Sequence, residues 1–353
     1  MHVINARNVH EALPKMLHHL EHYGEKKESR YGNVIVAPTP VTTVYSNPNE
    51  RVMFWKHRDI NPFFHLFEAL WMLAGRNDVA WLAYWNKRMA EFADYGDNFH
   101  GAYGHRWREH FGMDQLDTVV QLLTNKPNSR RAVIQMFDCR VDLHHHEDVK
   151  DIPCNTIITV WFQDGRLDLT VFCRSNDVIW GAAGTNAVHF AVLQEYLAAR
   201  LGVPTGTLYQ ISNNFHAYEE LFSKTLPVAR QWNARRMQPY RHNPQMMRVN
   251  PVQIVSDANW FDSDLDIFMH GRWPVDQAWY NKFFPEVAVP MHRAFQIFRE
   301  GTDPKRYEEI HRILEDAKER CTICKEPDWL VSSLAWMVKR ENNALQGVDG
   351  EGV

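Results

Sequence analysis

The chain has 353 residues, enough for one large domain with an appendage, and its 45% hydrophobic and 12% aromatic content is ample for a substantial core. A formal net charge of −4 excludes bulk electrostatics as a source of anion binding, which must then come from local arginines. No stretch approaches the roughly 18 uninterrupted apolar residues of a membrane span, and with no secretory apolar core at Met1-His2-Val3-Ile4 and no dense cysteine framework the chain reads as cytoplasmic.

In chain order, Leu13, Met16, Leu17 and Leu20 set a helical period over residues 9–24. A charged loop containing Ser29-Arg30-Tyr31-Gly32 follows. Val34 to Tyr45 is β-branched but broken by Pro38 and Pro40, so it predicts a short or edge strand. Phe63 to Ala74 is apolar almost all round and predicts a buried helix. Glu68 is its exception and needs either a functional role or a structural partner, such as Lys56 or Arg58, because an unpaired buried charge is costly. Val79 to Phe92 reads as helix, Gly101 to Gly104 as a turn, Leu116 to Leu123 as helix, and Arg131 to Phe137 as strand. Ile157 to Phe162 and Leu167 to Cys173 flank an Asp-Gly pair and predict a hairpin. Thr185 to Leu201 predicts a long helix stopped at Gly202, and Leu208 to Ile211 a strand. From about residue 226 the texture becomes basic and rich in Pro, Asn and Met, and a helical tail follows with Pro290 to Arg299 and Arg306 to Lys318.

Chemistry concentrates at Cys154, in Asp151-Ile152-Pro153-Cys154-Asn155-Thr156, twenty positions before Arg174-Ser175-Asn176-Asp177. A thiolate is a strong nucleophile, and a neighbouring guanidinium both lowers a thiol's pKa and grips an anionic substrate. Taken alone, a cysteine is more often a small buried hydrophobe. Its company decides otherwise. Cys154, Arg174-Ser175-x-Asp177-Val178 and Asn214-Phe215-His216-Ala217-Tyr218 resemble the active-site signature of the thymidylate synthase family. Arg30, Glu68, Tyr103 and Ser129-Arg130-Arg131 fall in matching order, so the resemblance runs over about residues 10–225. Asn176 and Cys154-Asn155-Thr156 resemble the branch of pyrimidine nucleotide hydroxymethylases found in phages with modified DNA bases, whose compartment is the host cytoplasm.

The resemblance implies an α+β layered fold with a large mixed sheet packed back-to-back in a homodimer. Residues 1–258 would form the catalytic domain and 259–353 a helical C-terminal extension. It implies methylenetetrahydrofolate as co-substrate and a pyrimidine nucleoside monophosphate as substrate. Cys154 would add to C6 of the base, making C5 nucleophilic toward a one-carbon unit. Glu68 would organise water and proton transfer, and Tyr103 would help remove the C5 proton. Arg30, Arg174 and Ser175 would hold the phosphate, with Arg130 and Arg131 reaching across the dimer, or else standing as surface charges. His216 and Tyr218 would bind the sugar hydroxyl, and Asp177 the folate pterin. An asparagine reads the base in this family, and Asn186 is the natural equivalent, favouring uracil over cytosine. Gly181-Ala182-Ala183-Gly184-Thr185-Asn186 is one residue longer than the common spacing, so Thr185 is the alternative to face the base.

The product divides on whether hydride or water reaches the shared exocyclic methylene, and so on how well the site excludes water. The stretch Arg88-Met89-Ala90-Glu91-Phe92 lacks the tryptophan of the methylating enzymes, and the Gly-rich terminus 347–353 lacks their hydrophobic lid. Both departures favour hydroxymethylation, with reductive methylation as the alternative. A non-catalytic nucleotide or mRNA binder is the alternative of another class. His144-His145-His146-Glu147 lacks the spacing of a helical zinc site and reads as solvated loop, so no metal is expected. Cys321 and Cys324 lack a second ligand pair and read as a helix end. The aromatics lack a basic stripe, so no nucleic acid is expected.

Overall fold

The computed structural model describes residues 1–94, 96–144, 149–233, 237–241, 248–274 and 276–346. Two pieces of the sequence reading, His145 to Glu147 and the terminus 347–353, lie outside the described residues. The frame is an eight-stranded mixed sheet in the order β1 (His2–Ala6), β4 (Val41–Tyr45), β8 (Thr205–Tyr218), β7 (Arg166–Asp177), β6 (Asn155–Gln163) and β5 (Val133–Gln135). The pair β2 (Glu25–Ser29) and β3 (Gly32–Val36) joins through the second half of β8. The helices in order are α1 (Val9–Tyr23), α2 (Pro62–Leu73), α3 (Val79–Trp85), α4 (Tyr103–Arg108), α5 (Gln115–Asn125) and α6 (Cys139–Asp142). They continue as α7 (Thr185–Arg200), α8 (Glu219–Arg230), α9 (Phe261–Met269), α10 (Val289–Glu300), α11 (Arg306–Arg320) and α12 (Asp328–Leu345).

The hairpin β6–β7 turns on Asp164 and Gly165, both at positive φ (50° and 74°), the twist-matched geometry that Asp-Gly favours. The strand β7 then runs parallel to β8, and α7 makes the crossover that parallel strands require. Residues 186–198 of α7 are buried throughout, because the helix is covered by the sheet on one side and by α2 on the other.

Four stretches differ from the sequence reading. The charged loop after α1 is the strand β2; all five of its residues are exposed on a sheet edge, so no apolar alternation marks it. Val34 to Tyr45 is two strands, and β4 is interior, hydrogen-bonded to β1 and β8, with Pro38 and Pro40 in the break between strands. Helix α3 ends at Trp85, where Asn86 caps a separate 3-10 turn, Lys87–Phe92. The strand expected at Leu208 to Ile211 extends to Tyr218, its second half polar because it faces the site.

On the sheet's other face Ile157, Phe172, Tyr209 and Ile211 are only half-buried and Trp161 is exposed. The tail helices pack on α2. Phe63 meets Phe295 of α10 at 5.1 Å and Trp336 of α12 at 5.7 Å, while Phe67 meets Phe268 of α9 at 5.7 Å. Helix α2, which carries Glu68, is thus clamped between α7 and the tail. Cys321 and Cys324 sit just past the end of α11 as free thiols, with Cys324 Sγ 3.8 Å from Asn250 O.

Candidate active site

Cys154 stands half-buried at the mouth of β6, immediately before the first strand residue. Its backbone N–H and that of Asn155 both donate to the Tyr103 hydroxyl, at 3.2 and 3.4 Å. With both lone pairs of that hydroxyl engaged, its own proton is left to point elsewhere. Burial, with the Cys154 sulfur adding to it, pushes the Tyr103 phenol well above its ordinary value. Arg174 anchors the same turn: Nε donates to Pro153 O at 2.8 Å and Nη2 to Ile152 O at 3.1 Å, with Sγ of Cys154 3.8 Å from Nη2. The guanidinium does pull the thiol's pKa down as the sequence reading expects, but burial outweighs it. The Cys154 thiol therefore lies above its ordinary value in the free protein.

Around this thiol the chain gathers most of the predicted residues. Ser175 lies on β7 opposite Asn214 of β8. His216 and Tyr218 alternate on β8 with their rings 5.7 Å apart. Tyr218 is held up by burial first, and Asp177, Tyr31, Cys154 and Arg30 all lie close enough to act on it. Arg30, in the β2–β3 turn, donates to Val149 O at 3.0 Å and stacks on Tyr31. Asp177 is partly structural. Its Oδ1 accepts from the N–H groups of Ile179 and Trp180 at 2.8 and 2.5 Å, capping the next turn, and Oδ2 accepts from Tyr218 N at 3.4 Å. Burial raises its carboxyl, opposed by those N–H groups and His216.

The turn capped by Asp177 is a π-helix, Val178–Ala182, closed by Ala183 N donating to Val178 O at 3.1 Å. A π turn holds one residue more than an α turn. Beyond it Asn186 is buried against Asn155 and Asn176. Thr185 instead donates its hydroxyl back to Trp180 O at 3.0 Å.

Glu68 pairs with neither Lys56 nor Arg58. Its Oε2 lies 2.9 Å from Nε2 of His189, while Arg58 donates to Ile179 O and stacks on Trp180. His189, which the sequence reading missed, sits one turn beyond Asn186 on α7, so both present the same face. Glu68, His189, Tyr103, Pro153, Met89 and Phe92 line one cavity of ≈ 180 Å³. Its walls combine apolar side chains with the polar groups of Glu68, Lys150, Asp151 and His189. Arg130 and Arg131 are exposed in the turn just before β5. No cluster of metal-ligating side chains occurs among the described residues.

Residues 12–260 match the sequence profile of the thymidylate synthase family. A deoxyuridylate hydroxymethyltransferase of Pseudomonas phage M6 is 41% identical over 348 residues, spanning 96% of this chain and 95% of that protein. A protein of the same name from Bacillus phage SP01 is 40% identical over 189 residues, 51% of this chain and 49% of its own. A putative thymidylate synthase of Methanothermobacter thermautotrophicus is 39% identical over 126 residues, 36% of this chain and 54% of its own.

Proposed function

Because the chain belongs to the thymidylate synthase family, we propose that it hydroxymethylates C5 of deoxyuridine monophosphate, taking the carbon from methylenetetrahydrofolate. The observation that carries this reading is the near-full-length similarity to a phage deoxyuridylate hydroxymethyltransferase, which spans the tail helices as well as the sheet. The enzyme is a transferase of one-carbon groups.

In this proposal each side chain has a role. Arg30, Arg174 and Ser175 take the phosphate, and His216 and Tyr218 the sugar hydroxyl. Burial holds Cys154 as a thiol in the free site, and it gives up its proton to solvent water as its sulfur attacks. The thiolate adds to C6 and the electron pair moves to C5. The folate supplies the one-carbon unit as an electrophile. Tyr103 points its hydroxyl proton at a water that takes up the C5 proton, and the C5–H electron pair forms the exocyclic double bond as the carbon's bond to the folate nitrogen breaks and tetrahydrofolate leaves. Water held by Glu68 adds to the exocyclic methylene and gives up its proton, and the returning electron pair expels Cys154 from C6. Asp177 faces the pterin. Uracil, hydroxymethyl product and tetrahydrofolate release balance without hydride transfer.

The half-buried apolar residues on the sheet's other face support a back-to-back homodimer, in which Arg130 and Arg131 cross to the partner's phosphate site. Offering dUMP, dCMP and CMP with methylenetetrahydrofolate and weighing each product tests the reading. Hydroxymethylated dUMP is expected. A methylated product assigns the reductive outcome instead, and nucleotide binding without product the non-catalytic one.

A further inference from the structure

Beneath the thiol lies a line of side-chain amides whose direction is fixed end to end. Gln210 donates its Nε2 to Ala182 O at 3.5 Å, and a backbone carbonyl can only accept. Gln210 Oε1 therefore faces the other way and accepts from Asn176 Nδ2 at 3.2 Å; Ser212 Oγ takes the same nitrogen at 3.0 Å. Asn176 Oδ1 accepts from Asn186 Nδ2 at 3.0 Å, and Asn186 Oδ1 accepts from Asn155 Nδ2 at 3.2 Å. Asn155 Oδ1 closes the line by accepting from the Cys173 thiol at 2.8 Å. Burial raises the Cys173 thiol far above its ordinary value, so it keeps the proton it donates. Every member is buried. Gly181 makes room for the central pair, since a Cβ there would stand 2.5 Å from Asn176 Oδ1 and 3.0 Å from Asn186 Nδ2.

An amide has two faces for a pyrimidine. Uracil offers an N3–H donor beside an O4 acceptor, and cytosine an N3 acceptor beside an amino donor. A free asparagine serves both by turning over, exchanging its oxygen and nitrogen. In this line Asn186 cannot turn without setting oxygen against oxygen at Asn176 and nitrogen against nitrogen at Asn155. We propose that Asn155, Asn176 and Gln210 are positioning residues that hold the Asn186 amide in one orientation and thereby set the choice of uracil over cytosine. The proposal rests on the reading above, in which Asn186 faces the base, and adds that its selectivity is made by residues that do not touch substrate.

The test is kcat/KM for dUMP and for dCMP in Asn176→Ala, Asn155→Ala and Gly181→Ala, each checked for cooperative unfolding. A tenfold or greater fall in the dUMP-to-dCMP ratio is expected, because the freed amide then turns for either base. Equal losses on both substrates, or an unchanged ratio, overturn the proposal by showing the line to be structural support only. The end of the line gives a milder pair: Cys173→Ser keeps a donor and should keep the ratio, whereas Cys173→Ala should lower it. If both behave alike, the direction of the line does not reach Asn186 and the proposal fails. Turnover of neither nucleotide by the unaltered protein would instead fail the functional reading on which it stands.

Discussion

Cys154, Arg174 and Tyr103 were legible in the sequence because each sits in a short run whose spacing survives into the fold: Cys154 immediately before β6, Arg174 on β7 with its N–H donating to Cys154 O at 2.9 Å, and Tyr103 accepting from the N–H groups of Cys154 and Asn155. His189 was not legible, since a histidine in a helix buried throughout reads as core until its partner is seen. Its bond to Glu68 holds one carboxylate oxygen at 2.9 Å beside the cavity that both residues line. In the proposed mechanism Glu68 acts on water, and general acid–base catalysis contributes about 10²–10⁴-fold. His189→Gln, which keeps an N–H for Glu68, is expected to lose less than about tenfold in kcat, and His189→Phe about a hundredfold or more, with KM for nucleotide little changed. Equal losses in the two variants, measured by steady-state product formation, would remove His189 from the reaction. The amide line was illegible for a different reason. Its members come from β6, β7, α7 and β8, and no local pattern announces a hydrogen bond between them.

Among the elements, the hairpin β6–β7 and helices α1, α2 and α7 follow from periodicity and turn chemistry, while β2 and the second half of β8 do not. Both failures have one cause: strands made of charged or hydrogen-bonding residues at an edge or a site carry no apolar alternation. The tail shows how distant helices serve the site. Trp336 of α12 packs on Phe63, Phe295 and Phe298, with ring centroids 5.7, 6.3 and 5.4 Å away, so it backs the helix that carries Glu68. Trp336→Ala is expected to cost about 3–5 kcal/mol of stability, read from urea unfolding, because a cavity that large cannot collapse. A loss below about 1 kcal/mol would mean that the tail does not brace α2.

At the scale of the whole molecule, the tightness of this packing makes stability depend on pH through buried imidazoles. Burial pulls His292, wedged among Phe67, Trp85 and Trp273, from 6.5 down to about 4, with Arg293 adding to the effect. The unfolded chain protonates this ring below 6.5 and the folded one does not, so its contribution is present above 6.5 and lost as pH falls toward 4. His292→Gln should therefore be less stable than the parent at neutral pH, and the gap should narrow on acidification by up to about 1.4 kcal/mol per pH unit. A gap independent of pH would show that the ring is not held neutral. The fold that keeps such groups dry must nonetheless admit one water to the carbon beside Cys154, and that is the central claim. It is tested most directly by running the reaction with dUMP in water enriched in heavy oxygen and weighing the nucleotide product. The account predicts a hydroxymethyl group carrying the heavy isotope and release of tetrahydrofolate. A methyl product with no solvent oxygen, accompanied by dihydrofolate, would contradict it.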